Sequence, residues 1–213
     1  MIDVLNTRTA IIQMDHSLRA LRDYITADVR EPEQKVRLAM HRLIEQAVMH
    51  LAEFARSSNV DIVYRERGIE AEVEGNERDL VRALSNILHN AIKYSWRRDR
   101  VGSPWVAIRT SIQDHMIHID FENWGVPIAG DELEKGLIFQ LGYRGKWSMD
   151  RGRLGTGIGL TDVQRVAQAH GGDVLVNSRP ASPGAHRADD AAYYRQAFVT
   201  TVTLCLPRAS KYG

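Results

Sequence analysis

The sequence predicts a two-layer α+β sandwich, with a mixed and mostly antiparallel sheet covered by helices on one face. Three observations carry that prediction. Apolar residues alternate along "PWVAIRTSI" and again along "MIHIDFE", with only "QDH" between them, so two strands pair as a hairpin. "DVLVNS" and "FVTTVTLCLP" form a second strand pair near the C-terminus. Helical periodicity fills stretches before and between these pairs. Strands joined as hairpins, rather than through helical crossovers, disfavour a parallel doubly wound sheet.

The elements follow in order. Residues 1–40 read as a helical segment, with Ile11, Ile12, Leu18, Leu21 and Ile25 near helical spacing, and no coiled-coil heptad of useful length is expected. Pro32 interrupts the pattern, because the residue before a proline avoids the helical region. A second helix is expected from Glu33 to about Ser57, then two short strands, "VDIVYRE" and "AEVEG", with a turn at Gly68. A helix from about Glu77 to Ser95 precedes the first hairpin. A glycine-rich stretch with little periodicity runs from Asn123 to Gly159, and "GLTDVQRVAQAHGG" is a helix closed by glycines. "RPASPGAHRADDAAYYRQA" is long for a hairpin connection and is expected to be mobile. The division expected is 1–40 as a helical and dimerising segment and 41–213 as the main domain.

Composition narrows the function classes. The 28 Lys and Arg residues nearly balance the 27 Asp and Glu, giving net charge +1, so no strong field recommends nucleic acid or an acidic membrane as partner. No apolar run approaches the roughly 20 residues that span a bilayer. The single cysteine, Cys205, cannot form an internal disulfide, and a reducing cytoplasmic setting is the simplest expectation.

Within the Glu77–Ser95 helix, "NILHNAIKYS" sets two asparagines one turn apart, although asparagine is a poor helix former. Leu80, Leu84, Ile87, Leu88 and Ala91 share one face, and Asn86, Asn90, Lys93, Tyr94 and Arg97 share the opposite one. Two readings are open. The polar face is simply solvated, or it is a ligand surface: amide oxygens bind Mg²⁺, a lysine attracts phosphate, and a tyrosine offers a ring edge and a hydroxyl. Farther along, "GRLGTGIGL" runs Gly155, Gly157 and Gly159 straight into a helix, whose N-terminus favours phosphate. It lacks the Gly-Lys-Ser/Thr of a P-loop and the spacing of a dinucleotide fingerprint. "ENWGVPI" could floor a base pocket, and "IFQLGYRG" joins an apolar anchor, Phe139, to a cation, Arg144, as a hinged lid requires.

Together these segments resemble the ATP-binding domain of histidine kinases, in the GHKL superfamily that also holds gyrase, the heat-shock chaperone and the mismatch-repair ATPases. The resemblance covers roughly residues 41–207. "NILHNAIKYS" is similar to the N box, "ENWGVPI" to the first glycine box, "IFQLGYRG" to the F box and "GTGIGL" to the second glycine box. It implies the Bergerat-type ATP-binding fold, ATP and Mg²⁺, a homodimer, and a response-regulator receiver domain as partner. It implies that Asn90 holds Mg²⁺ with Asn86 supporting the metal and phosphate side, that Lys93 meets phosphate and that Tyr94 flanks the nucleotide. Gly155, Thr156, Gly157, Ile158, Gly159 and Leu160 would form the lid backbone around the triphosphate. Arg144 would add positive charge, and Asn123 and Gly125 would stand in the base pocket.

Two positions depart from that pattern. Asn123 stands where the family has the aspartate that reads the adenine amino group, and Pro127 replaces a glycine. An asparagine keeps one carbonyl acceptor but loses a charge-assisted bond, a difference of about 1 kcal/mol. "MDHSLRAL" faintly resembles the phosphoacceptor box, making His16 the candidate acceptor, with Ser17 where an acidic residue is expected. The stretch from His16 to His41 is too short for two helices of about 20 residues each. Asn86 occupies the place of the glutamate that activates water in hydrolysing relatives, and an amide takes no proton. Phosphotransfer to histidine is therefore the leading expectation, with a nucleotide-gated binding module and a hydrolase as alternatives.

Overall fold

Alternation along the strands sorts side chains between the helices and the open face. The computed structural model describes residues 2–26, 34–65, 70–95, 104–148, 155–182 and 192–210. Its elements are α1 (Ile2–Thr26), β1 (Val36–Ala39), α2 (Met40–Ser57), β2 (Asp61–Tyr64), β3 (Glu72–Gly75), α3 (Glu77–Tyr94), β4 (Trp105–Gln113), β5 (Met116–Gly125), α4 (Gly130–Glu134), α5 (Gly159–Ala169), β6 (Asp173–Pro180) and β7 (Phe198–Pro207). Short 3₁₀ turns lie at Leu137–Phe139 and Tyr193–Arg195.

Five strands form the main sheet in the order β2-β4-β5-β7-β6, antiparallel except for β2 alongside β4. The sheet is mixed and mostly antiparallel, as the hairpin pattern predicts. On β5 every second residue is buried: Ile117, Ile119, Phe121, Asn123 and Gly125 face the helices, while Met116 to Trp124 on the other phase are half-exposed. The core lies between that face and α2, α3 and α5, with Phe54, Phe121, Leu84, Leu88 and Ile108 among its buried side chains.

Several expectations are corrected. The second helix starts at Met40, not Glu33. Val36, Leu38 and Met40 alternate with period two, and residues 36–39 pair as β1 with β3 in a separate two-stranded sheet. The two short strands after α2 join different sheets, β2 the large one and β3 the small one. The Gly68 turn lies outside the described residues, as do 183–191 of the β6–β7 connection. The stretch expected to be irregular contains α4. On α1, Ile11, Met14, Leu18, Leu21 and Ile25 are exposed at alternating steps of three and four, a stripe about two heptads long.

α3 is fixed at both ends. The Asn76 side chain accepts from the Asp79 N–H at 2.9 Å, with Glu77 and Asp79 in the first turn. The Asn76 N–H donates to His170 Nε2 at 3.1 Å, which ties the end of α5 to the start of α3 and gives that histidine a packing role. α1 lies against this body: Ile12 packs on the core, and the Arg165 guanidinium sits 4.9 Å from the centre of the Tyr24 ring.

Candidate functional site

α3 is buried on both sides, so its polar face is not a solvated one. Asn86 is 3% exposed and Lys93 8%. That face borders a cavity of about 150 Å³ between α3, the end of β5, residues 138–148 and the Gly155–Gly159 loop. Asn86, His89, Asn90, Lys93 and Tyr94 line it from α3, and Lys93 Nζ stands 4.9 Å from the Tyr94 ring centre. Arg97 lies outside the described residues. Asn123 enters from β5, 4% exposed and opposite Thr200 of β7, which also lines the cavity. Val126, Ile128, Ile138 and Val202 make this end apolar.

The glycine loop closes the polar end. Gly155, Thr156, Gly157, Gly159 and Leu160 line the cavity, while Ile158 turns away and is buried. A Cβ on Gly155 would run into Lys93 Nζ, and one on Gly159 would come 3.3 Å from Asn90 Nδ2. Gly157 has φ +70°, and its carbonyl accepts from the Gly142 N–H at 3.1 Å. Gly125 does not reach the cavity wall: it lies where a Cβ would strike the Tyr94 carbonyl, letting the end of β5 meet the end of α3.

Residues 143–148 form the facing wall, with Tyr143, Arg144, Gly145 and Ser148 on the cavity. The fully buried Glu132 of α4 holds this wall. Its carboxylate accepts from the Ala129 N–H at 2.8 Å, the Lys146 N–H at 2.8 Å and the Tyr143 hydroxyl at 2.6 Å. That last bond pushes the Tyr143 phenol up to about 12. Lys146 donates to Asp131 at 2.7 Å, which holds the Asp131 carboxyl below its usual range. Behind the wall, Trp147 stacks on Tyr194 with ring centres 5.1 Å apart, and Tyr194 stacks on the buried Phe198 at 5.9 Å.

Asp162 was not legible as a site residue. It is fully buried in the first turn of α5, an ordinary place for an acid. Arg82 Nε meets its Oδ2 at 2.8 Å, Arg165 Nη2 its Oδ1 at 2.7 Å, and Asn86 Nδ2 donates to Oδ2 at 3.1 Å. Burial pulls the Arg82 guanidinium down, but Asp162 and Asp79 outweigh it and the net direction is up. Thr200 and Glu132 were missed as well, since their partners are distant in sequence or on the backbone. Ser17 of α1 also lines the cavity. His16 lies on α1, and its side chain is outside those described.

Comparison with known proteins agrees with this geometry. The profile of the family described as histidine kinase-, DNA gyrase B-, and HSP90-like ATPase matches residues 75–210. The chain belongs to that family. Sensor histidine kinase CusS of Escherichia coli K12 is 36% identical over 111 residues, 52% of this chain and 22% of CusS. Sensor-like histidine kinase SenX3 of Mycobacterium bovis is 34% identical over 125 residues, 58% of this chain and 29% of SenX3. The chain thus spans under a third of the length of these curated relatives. Among solved structures, the mycobacterial sensor histidine kinase MprB aligns with 82% of this chain and 99% of its own at TM-score 0.58 and 21% identity, a likeness of fold. Thus the family's ATP-binding fold carries here an asparagine pair and a glycine loop on one cavity, with a buried acid behind Asn86.

Proposed function

We propose that this family member binds Mg·ATP and transfers the γ-phosphate to a histidine, for onward transfer to an aspartate of a response-regulator receiver domain. The observation that supports it is the two-ended cavity: apolar and amide-floored at Asn123, polar and cationic at Asn86, Asn90, Lys93 and Arg144. An adenine fits the first end, with Asn123 Oδ1 accepting from its amino group, and Tyr94 flanks the nucleotide. The phosphates fit the second, met by Lys93, Arg144 and the backbone of Gly155–Gly159 at the start of α5. Among the described residues no three His, Cys, Asp or Glu side chains cluster to hold a metal. The two amides instead suit Mg²⁺, which takes one or two protein oxygens and keeps phosphate and water for the rest. When bound there it would neutralise charge between phosphate oxygens; Asn90, with Asn86, would hold it.

The residues themselves position rather than react. Lys93 and Arg144 offset charge that moves onto the leaving oxygen, and the apolar walls exclude water. Hydrolysis is disfavoured because Asn86, its amide donating to Asp162, cannot take a proton from water. His16 on α1 is the candidate acceptor, a reading supported by its neighbour Ser17, which lines the cavity. A complex of the histidine kinase ThkA with the response regulator TrrA shares this fold at 16% identity.

The remaining proposals concern assembly. The proposed division is a segment 1–40, holding helix α1, and a domain of residues 41–213; β1 of the first pairs with β3 of the second. The exposed stripe from Ile11 to Ile25 suits a parallel homodimer, which Leu18→Glu should dissociate in sedimentation. The compartment is the cytoplasm; among the described residues no helix is long and apolar enough to cross a membrane.

Mg·ATP at 100 times its Kd adds about 2.7 kcal/mol, a Tm rise of about 5–11 °C for a domain of this size. No rise with any Mg-nucleotide refutes the proposal. Acid-labile label from γ-labelled ATP separates transfer from nucleotide gating without transfer, and its loss in His16→Ala locates the acceptor.

A further inference from the structure

We infer that Asp162 is a positioning residue for the metal side of the cavity: it fixes Asn86 with its amide oxygen toward the bound phosphates. Asn86 borders the cavity, and its Nδ2 lies 3.1 Å from Asp162 Oδ2. Asp162 is fully buried, and both of its oxygens meet guanidinium groups, Arg82 at 2.8 Å and Arg165 at 2.7 Å. A carboxylate so paired accepts hydrogen bonds and donates none. An amide turned the other way would set its oxygen against a carboxylate oxygen in a site without water to separate them. Asp162 therefore selects one of the two orientations open to Asn86: the amide nitrogen is spent on the acid, and the oxygen is left for the metal side of the site. Arg82 and Arg165 hold the acid in turn, so the orientation is set by packed elements α3 and α5 rather than by the ligand.

The inference rests on the Mg·ATP reading above and is tested by calorimetry on the full chain, with ATP plus Mg²⁺ and with ATP in EDTA. In Asp162→Asn two amides face each other and can pair in either sense. Mg·ATP should bind about 10–100-fold more weakly, the usual loss when the partner of a metal-holding group is removed. ATP in EDTA should bind within about twofold of the unchanged protein. Asn86→Asp sets a second carboxylate against Asp162 and should lose Mg·ATP binding as well. The exchanged pair, Asn86→Asp with Asp162→Asn, keeps one acid beside Arg82 and one amide, and should recover most of the Mg²⁺ dependence. If Asp162→Asn does not fold, the exchanged pair decides alone.

Wild-type affinity for Mg·ATP in Asp162→Asn overturns the inference. So does an equal loss with and without Mg²⁺, which marks a purely structural acid, and so does a folded exchanged pair that ignores Mg²⁺. An unchanged protein that gains nothing from Mg²⁺ overturns the metal reading itself, and the inference falls with it.

Discussion

Replacing Gly157 by alanine should cost far more nucleotide affinity than replacing Gly142, although both have positive φ, +70° and +78°. Left-handed backbone costs an L-residue about 1–2 kcal/mol at either place. Around Gly142 a Cβ meets open space. At Gly157 it would come 2.5 Å from the Gly142 carbonyl carbon and 2.6 Å from the Tyr143 oxygen, both backbone atoms that cannot swing aside. The loop would have to lift, breaking the 3.1 Å bond from the Gly142 N–H to the Gly157 carbonyl, worth about 0.5–1.5 kcal/mol. The native loop geometry in Gly157→Ala is then disfavoured by about 2–3 kcal/mol, or roughly 30- to 150-fold in apparent Kd for Mg·ATP. Gly142→Ala, which carries the backbone strain alone, should lose about 5- to 30-fold at most. Calorimetric titration of both variants against adenosine and Mg·ATP reads the difference. Equal losses in the two variants, or a Gly157→Ala affinity within twofold of wild type, would refute the close-approach reasoning.

Three further outcomes follow from the packing and the electrostatics. Because the Tyr143 phenol titrates near 12 in the fold and near 10 when unfolded, its contribution is whole below pH 10 and is lost as pH rises toward 12. Ultraviolet titration should show one late tyrosine that Tyr143→Phe abolishes. Tyr194→Ala breaks the Trp147–Tyr194–Phe198 stack and should cost about 1–3 kcal/mol, with Trp147 emission shifting to the red. A Trp147→Phe control assigns that emission, and an unshifted spectrum would count against the stack. Leu84→Ala empties a fully buried position on α3 and should lower stability by about 2–5 kcal/mol with the urea m-value unchanged.

What could be read from the sequence divides along a physical line. The β4–β5 hairpin, α3 and α5 were legible because their signals are local: period-two alternation, helical period, and glycines or a cap at the ends. The polar face of α3 could not be placed, since the same residues suit water or a ligand until α5 and the glycine loop are seen to cover them. β1 was taken into a helix because four residues of alternation are too few to outweigh the helix that follows. Asp162 and Glu132 gave no signal, as each is meaningful only through partners brought by the fold: Arg82 and Asn86 from another helix, Tyr143 and Lys146 from a loop. Asn123 lines the cavity beside Thr200, a neighbour brought by a strand register that no motif encodes.

The first helix has two working sides. Ser17 touches the cavity, while Ile11, Met14, Leu18, Leu21 and Ile25 look outward. Were a grip on the outward side to steady or withdraw the inward one, the two events would share a single energy. Filling the cavity would then change the grip by the same factor by which the grip changes the filling, in either direction of cause.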